Sequence, residues 1–376
     1  MQAETEILII GGGLAGLTAA LHLNKVGLMV TLIEKDTYPH HKVCGEYISN
    51  EVIPYFKWLG LDIESLAPTF ISDLLFTSNL CKSIQTKLPL GGFGLSRYTL
   101  DHYLYSELIK RKVNIVHDRV VEISFANNQF TVATTNHTFN AAYVIGAYGK
   151  RSSIDIKLNR PFMSKQSPYL AVKAHYKGNF PNHLVSLNNF EGGYCGVSMV
   201  ENERLNICYL ANYEHFKKHK NLSGFQENVL YKNRYLKAIL ENATSLFGNP
   251  LTISQVSFER KEPVYDHILM VGDTAGLIHP LCGNGMAMAV HAAKIASELL
   301  HQRIDGKITS REALEASYTA YWNREFKSRL KTGGMLASLL RNTQLESLAA
   351  NTLIKMPFLL HTIIKKTHGK PITISS

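Results

Sequence analysis

Ile7-Leu8-Ile9-Ile10-Gly11-Gly12-Gly13-Leu14-Ala15-Gly16, carried on by a helix-like run to Val30-Thr31-Leu32-Ile33-Glu34, is the stretch whose reading decides the fold. The apolar run predicts a strand over residues 5–10. Gly11, Gly13 and Gly16 fit G-x-G-x-x-G. The first permits a tight turn, the second lets a pyrophosphate approach the backbone, and the third lets the helix pack against the strand. Leu14, Leu17, Ala20 and Leu21 recur near the helical period, so a helix is predicted over 14–26, ended by Gly27. Its N-terminus offers free N–H groups and positive potential to phosphates. Glu34 closes the second strand, where an acceptor for a ribose hydroxyl is expected. The glycine pattern alone is a weak signal and would suit a turn in another α/β unit. Its strand–turn–helix–strand–acid setting points to an adenine dinucleotide. The candidate cofactor contacts here are Gly11, Gly13, Leu14, Ala15, Gly16, Glu34 and Lys35.

A chain of 376 residues, 45% hydrophobic, can bury a large core and predicts two domains. Five cysteines, Cys44, Cys81, Cys195, Cys208 and Cys282, form neither C-x-x-C nor a secreted disulfide framework. Glu4 and Glu6 stand where a signal peptide would carry positive charge. No apolar run approaches the roughly 18 residues of a spanning helix. The expected location is cytoplasmic, with peripheral membrane contact as an extension of it. The formal net charge is +10, and residues 321–376 hold nine Lys or Arg against two Glu. Such a surface suits an anionic partner or a lipid headgroup layer, or is a solvated basic face. No nucleic-acid signature accompanies it, so no nucleic-acid partner is expected. His40-His41 lacks the further ligands a zinc site needs, and no metal is expected.

Beyond Glu34, residues 40–49 concentrate reactive side chains in a loop predicted to reach toward the redox end of the cofactor; an ordinary connection with a buried Cys44 is the alternative. Ser49 can cap a helix starting near Asn50, with Pro54 in its first turn. Strands are predicted over 70–77 and 87–90, then a helix over 98–111. Arg97 stands at that helix's N-terminus, where the dipole favours acids, which points to a ligand or carboxylate partner. Short strands follow over 114–117, 120–126, 129–134 and 137–140, with Asn127-Asn128 as a hairpin turn, then an apolar strand over 143–147. Residues 169–210 alternate as strands of an antiparallel sheet. Residues 215–241 read as helical, 256–259 as a return to the sheet, and 286–302 as a helix after Gly272-Asp273 and a Gly/Pro loop. Ser310 can cap a helix over 311–324. Residues 336–366 alternate apolar clusters with basic residues around a breaking Pro357, and the last four residues read as loose.

Taken together, Gly11 to Gly16 with Glu34, Lys42-Val43-Cys44-Gly45-Glu46, Arg97, Gly146-Ala147-Tyr148-Gly149 and Gly272-Asp273 through Gly285 resemble the FAD-dependent aromatic hydroxylase superfamily, in its geranylgeranyl-reductase and flavin-halogenase-like branch. The resemblance implies an α/β fold: a glutathione-reductase-like FAD-binding Rossmann domain, an antiparallel β-sheet substrate domain and C-terminal helices. The corresponding division is 1–70, 96–165 and 260–305 for FAD, 71–95 and 166–259 for the substrate sheet, and 306–376 for the helices. It implies FAD, with NAD(P)H or another external electron donor. The further cofactor contacts it implies are Cys44, Gly45, Arg97, Val120, Asp273, Pro280, Gly283, Gly285 and Met286. Tyr148 departs from the acid usual in the middle motif, and the W-x-W-x-I-P element of tryptophan halogenases is absent.

The expected activity is that of an FAD-dependent oxidoreductase transferring hydride to a double bond of an apolar, isoprenoid or polyene substrate, free or carrier-bound. Cys44 is the candidate catalytic acid, and Tyr47, Tyr194 and Cys195 are candidate substrate contacts. A monooxygenase and a non-catalytic flavoprotein docking a carrier or a membrane are the alternatives.

Overall fold

The computed structural model describes residues 2–219, 221–254, 256–341, 352–353 and 355–374. The opening stretch forms the centre of the first sheet. Gln2–Ile10 runs parallel to Val30–Glu34 on one side and to Thr138–Gly146 on the other. Asn114–His117 extends the sheet beyond Val30–Glu34, and Ile268–Met270 extends it beyond Thr138–Gly146. Every residue from Ile7 to Ile10 is buried, as in a parallel strand covered by helices on both faces. The helix Leu14–Lys25 packs against both Arg97–Lys110 and Gly285–Ile304.

A hairpin, Val120–Ala126 with Gln129–Thr134, joins the first sheet through Thr138–Gly146. Asn127 and Asn128 both take positive φ at its turn, the geometry of a tight hairpin. The two strands expected over 137–140 and 143–147 are one. Its polar Asn140 lies opposite Glu4 and donates to Glu4 Oε1 at 2.9 Å, so polarity does not end the strand.

The second sheet runs in the order Thr244–Ser245, Tyr169–Lys177, Arg204–Asn212, Gly193–Val200, Leu184–Phe190, Thr69–Thr77, Ser83–Gly94, Tyr47–Ser49. It is mixed rather than antiparallel, because Leu184–Phe190 lies parallel to Thr69–Thr77. Those strands are separated by a long stretch of the nucleotide-binding unit, so no hairpin forces them to oppose. Tyr47–Ser49 pairs with Ser83–Gly94 and so carries the chain from the Cys44 loop directly onto this sheet.

Four expected elements differ. Residues 215–241 are broken into Tyr213–Lys217, Leu222–Asn228 and Arg234–Glu241, each started by a capping asparagine, Asn212, Asn221 or Asn233. Residues 256–259 are loop; the edge pairing with Tyr169–Lys177 is made by Leu251–Ser254. The helix after Ser310 continues over Arg311–Arg341. Pro357 opens the last helix, Pro357–Thr367, rather than kinking one. The remainder of the 336–366 pattern, at 342–351 and 354, lies outside the described residues. The tail is fixed as far as Ile372, which is buried and whose N–H donates to the Glu51 carbonyl at 2.7 Å.

Candidate functional site

A cavity of about 1410 Å3 lies between the two sheets. That exceeds the roughly 300–1,000 Å3 of a drug-sized pocket. Its walls divide into a polar track along the first sheet and an apolar compartment under the second.

The track starts at the glycine turn. Gly11 has φ +102°, and its N–H donates to the Ile33 carbonyl at 2.8 Å. A Cβ on Gly16 would stand 1.9 Å from the Gly11 carbonyl oxygen, so Gly16 sets the helix-to-turn distance. Gly16 accordingly does not line the cavity, whereas Gly11, Gly13, Leu14 and Ala15 do. Helix Leu14–Lys25 has no side-chain cap and no acid in its first turn. Its leading amides therefore remain available to an anion. Glu34 is buried at the cavity wall beside Lys35, and accepts from the Gly12 and Asp36 amides at 2.6 and 2.9 Å. It braces the turn that it also borders. Val120 completes this end of the wall.

Arg97 finds the carboxylate partner that its position called for. Its Nε and Nη2 donate to the two oxygens of buried Asp101 at 2.7 and 2.6 Å. Lys42 Nζ shares Asp101 Oδ2 at 3.3 Å. Both cations stand 3.8 Å from where a Gly13 Cβ would be, beside the glycine turn. The acids expected near the start of helix Arg97–Lys110 come from elsewhere in the chain. Glu46 Oε1 accepts the Arg97 N–H at 2.9 Å, and Glu201 Oε2 accepts the Ser96 N–H at 2.8 Å.

Glu46 is the hinge of the Cys44 loop. It has φ +54° and is fully buried. Lys173 Nζ reaches Glu46 Oε1 at 2.9 Å, and His175 Nε2 reaches Oε2 at 2.6 Å. Burial would raise the Glu46 carboxyl; the His175 hydrogen bond and the Lys173 ammonium overcome it and hold the group below its ordinary range. Asn206 Nδ2 donates to the carbonyls of Cys44 and Gly45 at 3.3 and 2.9 Å. The loop is thus tied to two strands of the second sheet. Its Cys44 Sγ faces Met286 Sδ at 3.5 Å, where the polar track meets the apolar compartment. Beside it, burial and the Lys173 charge push His41 down to about 4.

The far end is built by Gly272-Asp273 and residues 280–286. Asp273, Pro280, Gly283, Gly285 and Met286 all line the cavity. Lys261 Nζ donates to the carbonyls of Lys150 and Asp273, both at 2.7 Å, clamping two turns together. Its burial lowers it to about 8. The helix Gly285–Ile304 also starts without a side-chain cap. Asn284 turns away instead, donating to buried Glu51 and accepting from Arg329 at 3.3 Å.

The apolar compartment is walled by Tyr47, Leu74, Phe76 and Val185, and roofed by Leu360 and Ile364 of the last helix. Tyr194 also lines the cavity, packed with Ala171, Leu210, Val256 and Leu277. Cys195 does not: side chains alternate along Gly193–Val200, and Cys195 is fully buried in the core on the sheet's other face. Cys195 is therefore not the substrate contact expected from the sequence. Lys42 and Glu46 belong to the Lys42-Val43-Cys44-Gly45-Glu46 motif without a role assigned by it, and Lys173 and His175 join them only in the fold. Lys173 and His175 stand two apart in an apolar strand, which puts two cationic groups on one buried face and was a legible signal for a buried carboxylate.

The geometry fits a dinucleotide whose pyrophosphate meets the uncapped amides under Lys42 and Arg97. The second uncapped helix faces the other end of the track. The family described as FAD binding domain matches residues 4–321, and this chain belongs to it. FAD is its cofactor. The chain is 22% identical over 351 residues to a digeranylgeranylglycerophospholipid reductase of Methanococcus aeolicus, covering 87% of this chain and 84% of that one. A flavin-dependent brominase superposes with TM-score 0.81 at 17% identity, covering 97% and 93% of the two chains. A geranylgeranyl bacteriochlorophyll reductase-like protein from Thermoplasma acidophilum superposes with TM-score 0.75 at 16% identity, covering 99% and 94%. No helix among the described residues is long and apolar enough to cross a membrane.

Proposed function

We propose that this FAD-dependent oxidoreductase saturates an isolated carbon–carbon double bond in an apolar, isoprenoid-like substrate. The observation that carries the reading is the compartment walled by Leu74, Phe76, Val185 and Leu360, contiguous with the cofactor track and meeting it at Cys44. A polar substrate would leave its hydrogen-bonding groups unpaired against those walls. The digeranylgeranylglycerophospholipid reductases among the relatives carry a matching substrate class in their name.

Held by the Gly11–Gly13 turn, Arg97 and the 280–286 segment, FAD would supply hydride chemistry for one alkene carbon, its electrons coming from NAD(P)H or another external donor. The chain does the rest. Tyr47, Tyr194 and the apolar wall orient the double bond and exclude water. The Cys44 thiol, held by the Glu46 and Asn206 anchors, delivers a proton to the other carbon. The test is anaerobic reduction of the purified flavoprotein followed by a polyprenyl substrate, with and without oxygen. Addition of two hydrogens without oxygen supports the proposal. An oxygen-dependent mass gain of one oxygen atom would replace it with monooxygenation. Cys44→Ala is expected to keep full FAD loading and lose about a hundredfold in turnover, the lower end of the usual range for a general acid, about 10²–10⁴.

A further inference from the structure

The apolar compartment opens between the two C-terminal helices. Leu339, Thr362 and Lys366 line the cavity and are also exposed, which marks the mouth. Around it the helices present apolar side chains to solvent: Met335 is 60% and Phe358 59% exposed, with Met356 at 41%. Lys331, Met335 and Leu339 recur at every fourth position, so they share one face of Arg311–Arg341. Phe358, Thr362 and Lys366 do the same on Pro357–Thr367, while Leu360 and Ile364 of that helix are buried over the second sheet. The two helices pack against each other, and each stripe includes a residue of the cavity mouth, Leu339 on one and Thr362 with Lys366 on the other. Lys331, Lys355, Lys365 and Lys366 are exposed on these segments, and residues 327–341 and 355–374 contain no Asp or Glu.

We propose that this face docks on an anionic lipid bilayer, with Met335 and Phe358 inserted among the acyl chains and the lysines at the headgroups. The mixture decides the partner. Lysines alone would suit any polyanion. Large apolar side chains rimming the mouth of an apolar cavity suit a surface that is itself an apolar phase beneath negative charge. Docking there would let a lipid-soluble substrate pass from bilayer to cavity without crossing water. That consequence rests on the apolar-substrate reading, but the docking itself does not.

The test is flotation of the FAD-loaded protein with phosphatidylcholine vesicles containing or lacking phosphatidylglycerol, without turnover, so that docking and substrate class fail separately. Binding is expected to the anionic vesicles and to be released by salt. One surface lysine contributes about fivefold to such binding, so Lys331→Gln with Lys365→Gln should weaken it roughly twentyfold to thirtyfold. Met335→Ser with Phe358→Ser should also release the protein, with flavin absorbance retained in both double variants. No binding to anionic vesicles, equal binding to uncharged ones, or binding unmoved by both double variants would overturn the proposal. So would capture by an acidic carrier protein with no vesicle binding.

Discussion

Glu46→Gln removes the charge at the centre of the buried network while nearly preserving shape. In the wild type one carboxylate accepts from Lys173 Nζ at 2.9 Å, His175 Nε2 at 2.6 Å and the Arg97 amide at 2.9 Å. All three side chains at this junction, Glu46, Lys173 and His175, are at most 1% exposed. Removing one member of such a group leaves a buried ammonium without its counter-charge, at a cost of about 3–5 kcal/mol. Set against the roughly 5–15 kcal/mol that holds a domain together, this is a large share. The assay is urea denaturation of the FAD-loaded protein followed by flavin fluorescence. The pH dependence adds a second check. The folded-state Glu46 carboxyl is held below its ordinary value of 4.5, so its contribution is present above that pH and is lost as pH falls through the folded value. The gap between wild type and Glu46→Gln should therefore be full at neutral pH and shrink in acid below about 4.5. Adding Lys173→Met to Glu46→Gln should recover part of the loss, since the stranded charge is gone. A cost under 1 kcal/mol at neutral pH, or no recovery in the double variant, would refute the reasoning.

Gly16→Val should prevent FAD loading during expression, because its Cβ would stand 1.9 Å from the Gly11 carbonyl; the flavin-to-protein absorbance ratio reads this. Glu34→Ala removes an acceptor of two backbone amides at the glycine turn, each such charged hydrogen bond being worth about 1.5–3 kcal/mol, so titration calorimetry should find FAD binding weakened at least tenfold. Lys261 is lowered by burial from 10.5 to about 8, so the unfolded chain holds the extra proton between those values and stability should rise with pH across that window. Lys261→Met should abolish the rise in a thermal-melting series.

Much of the nucleotide half was legible because its signals are local. The turn, the helix behind it and the acid after the second strand are set by neighbours in sequence, and the observed Leu14–Lys25 helix and Val30–Glu34 strand follow that spacing. Asn127-Asn128 and Ser310 were legible for the same reason, each being a turn or cap decided within four residues. Misreadings came where a distant partner overrode a local rule. Asn140 looked like a break until Glu4 supplied its hydrogen bond. The breaks in residues 215–241 are a local signal that the helical composition hid: Asn212, Asn221 and Asn233 each cap a new helix, as a residue poorly suited to helix interiors does.

The sequence by itself determined that the chain carries a dinucleotide track and, through the motifs that follow Gly11–Gly16, that the dinucleotide is FAD. It also determined that Cys44 follows that track closely. Only the tertiary structure decided what Cys44 faces. Glu46 lies far along the chain from Lys173, His175 and Asn206, and although the spacing of Lys173 and His175 signals a buried carboxylate, nothing in the sequence says which carboxylate answers it. The same holds for Tyr194 and Cys195. Adjacent in sequence, they point to opposite faces of one strand, and only the packing of Val256 and Leu277 on one face and of Phe225, Leu236 and Leu240 on the other assigns the first to the cavity and the second to the interior.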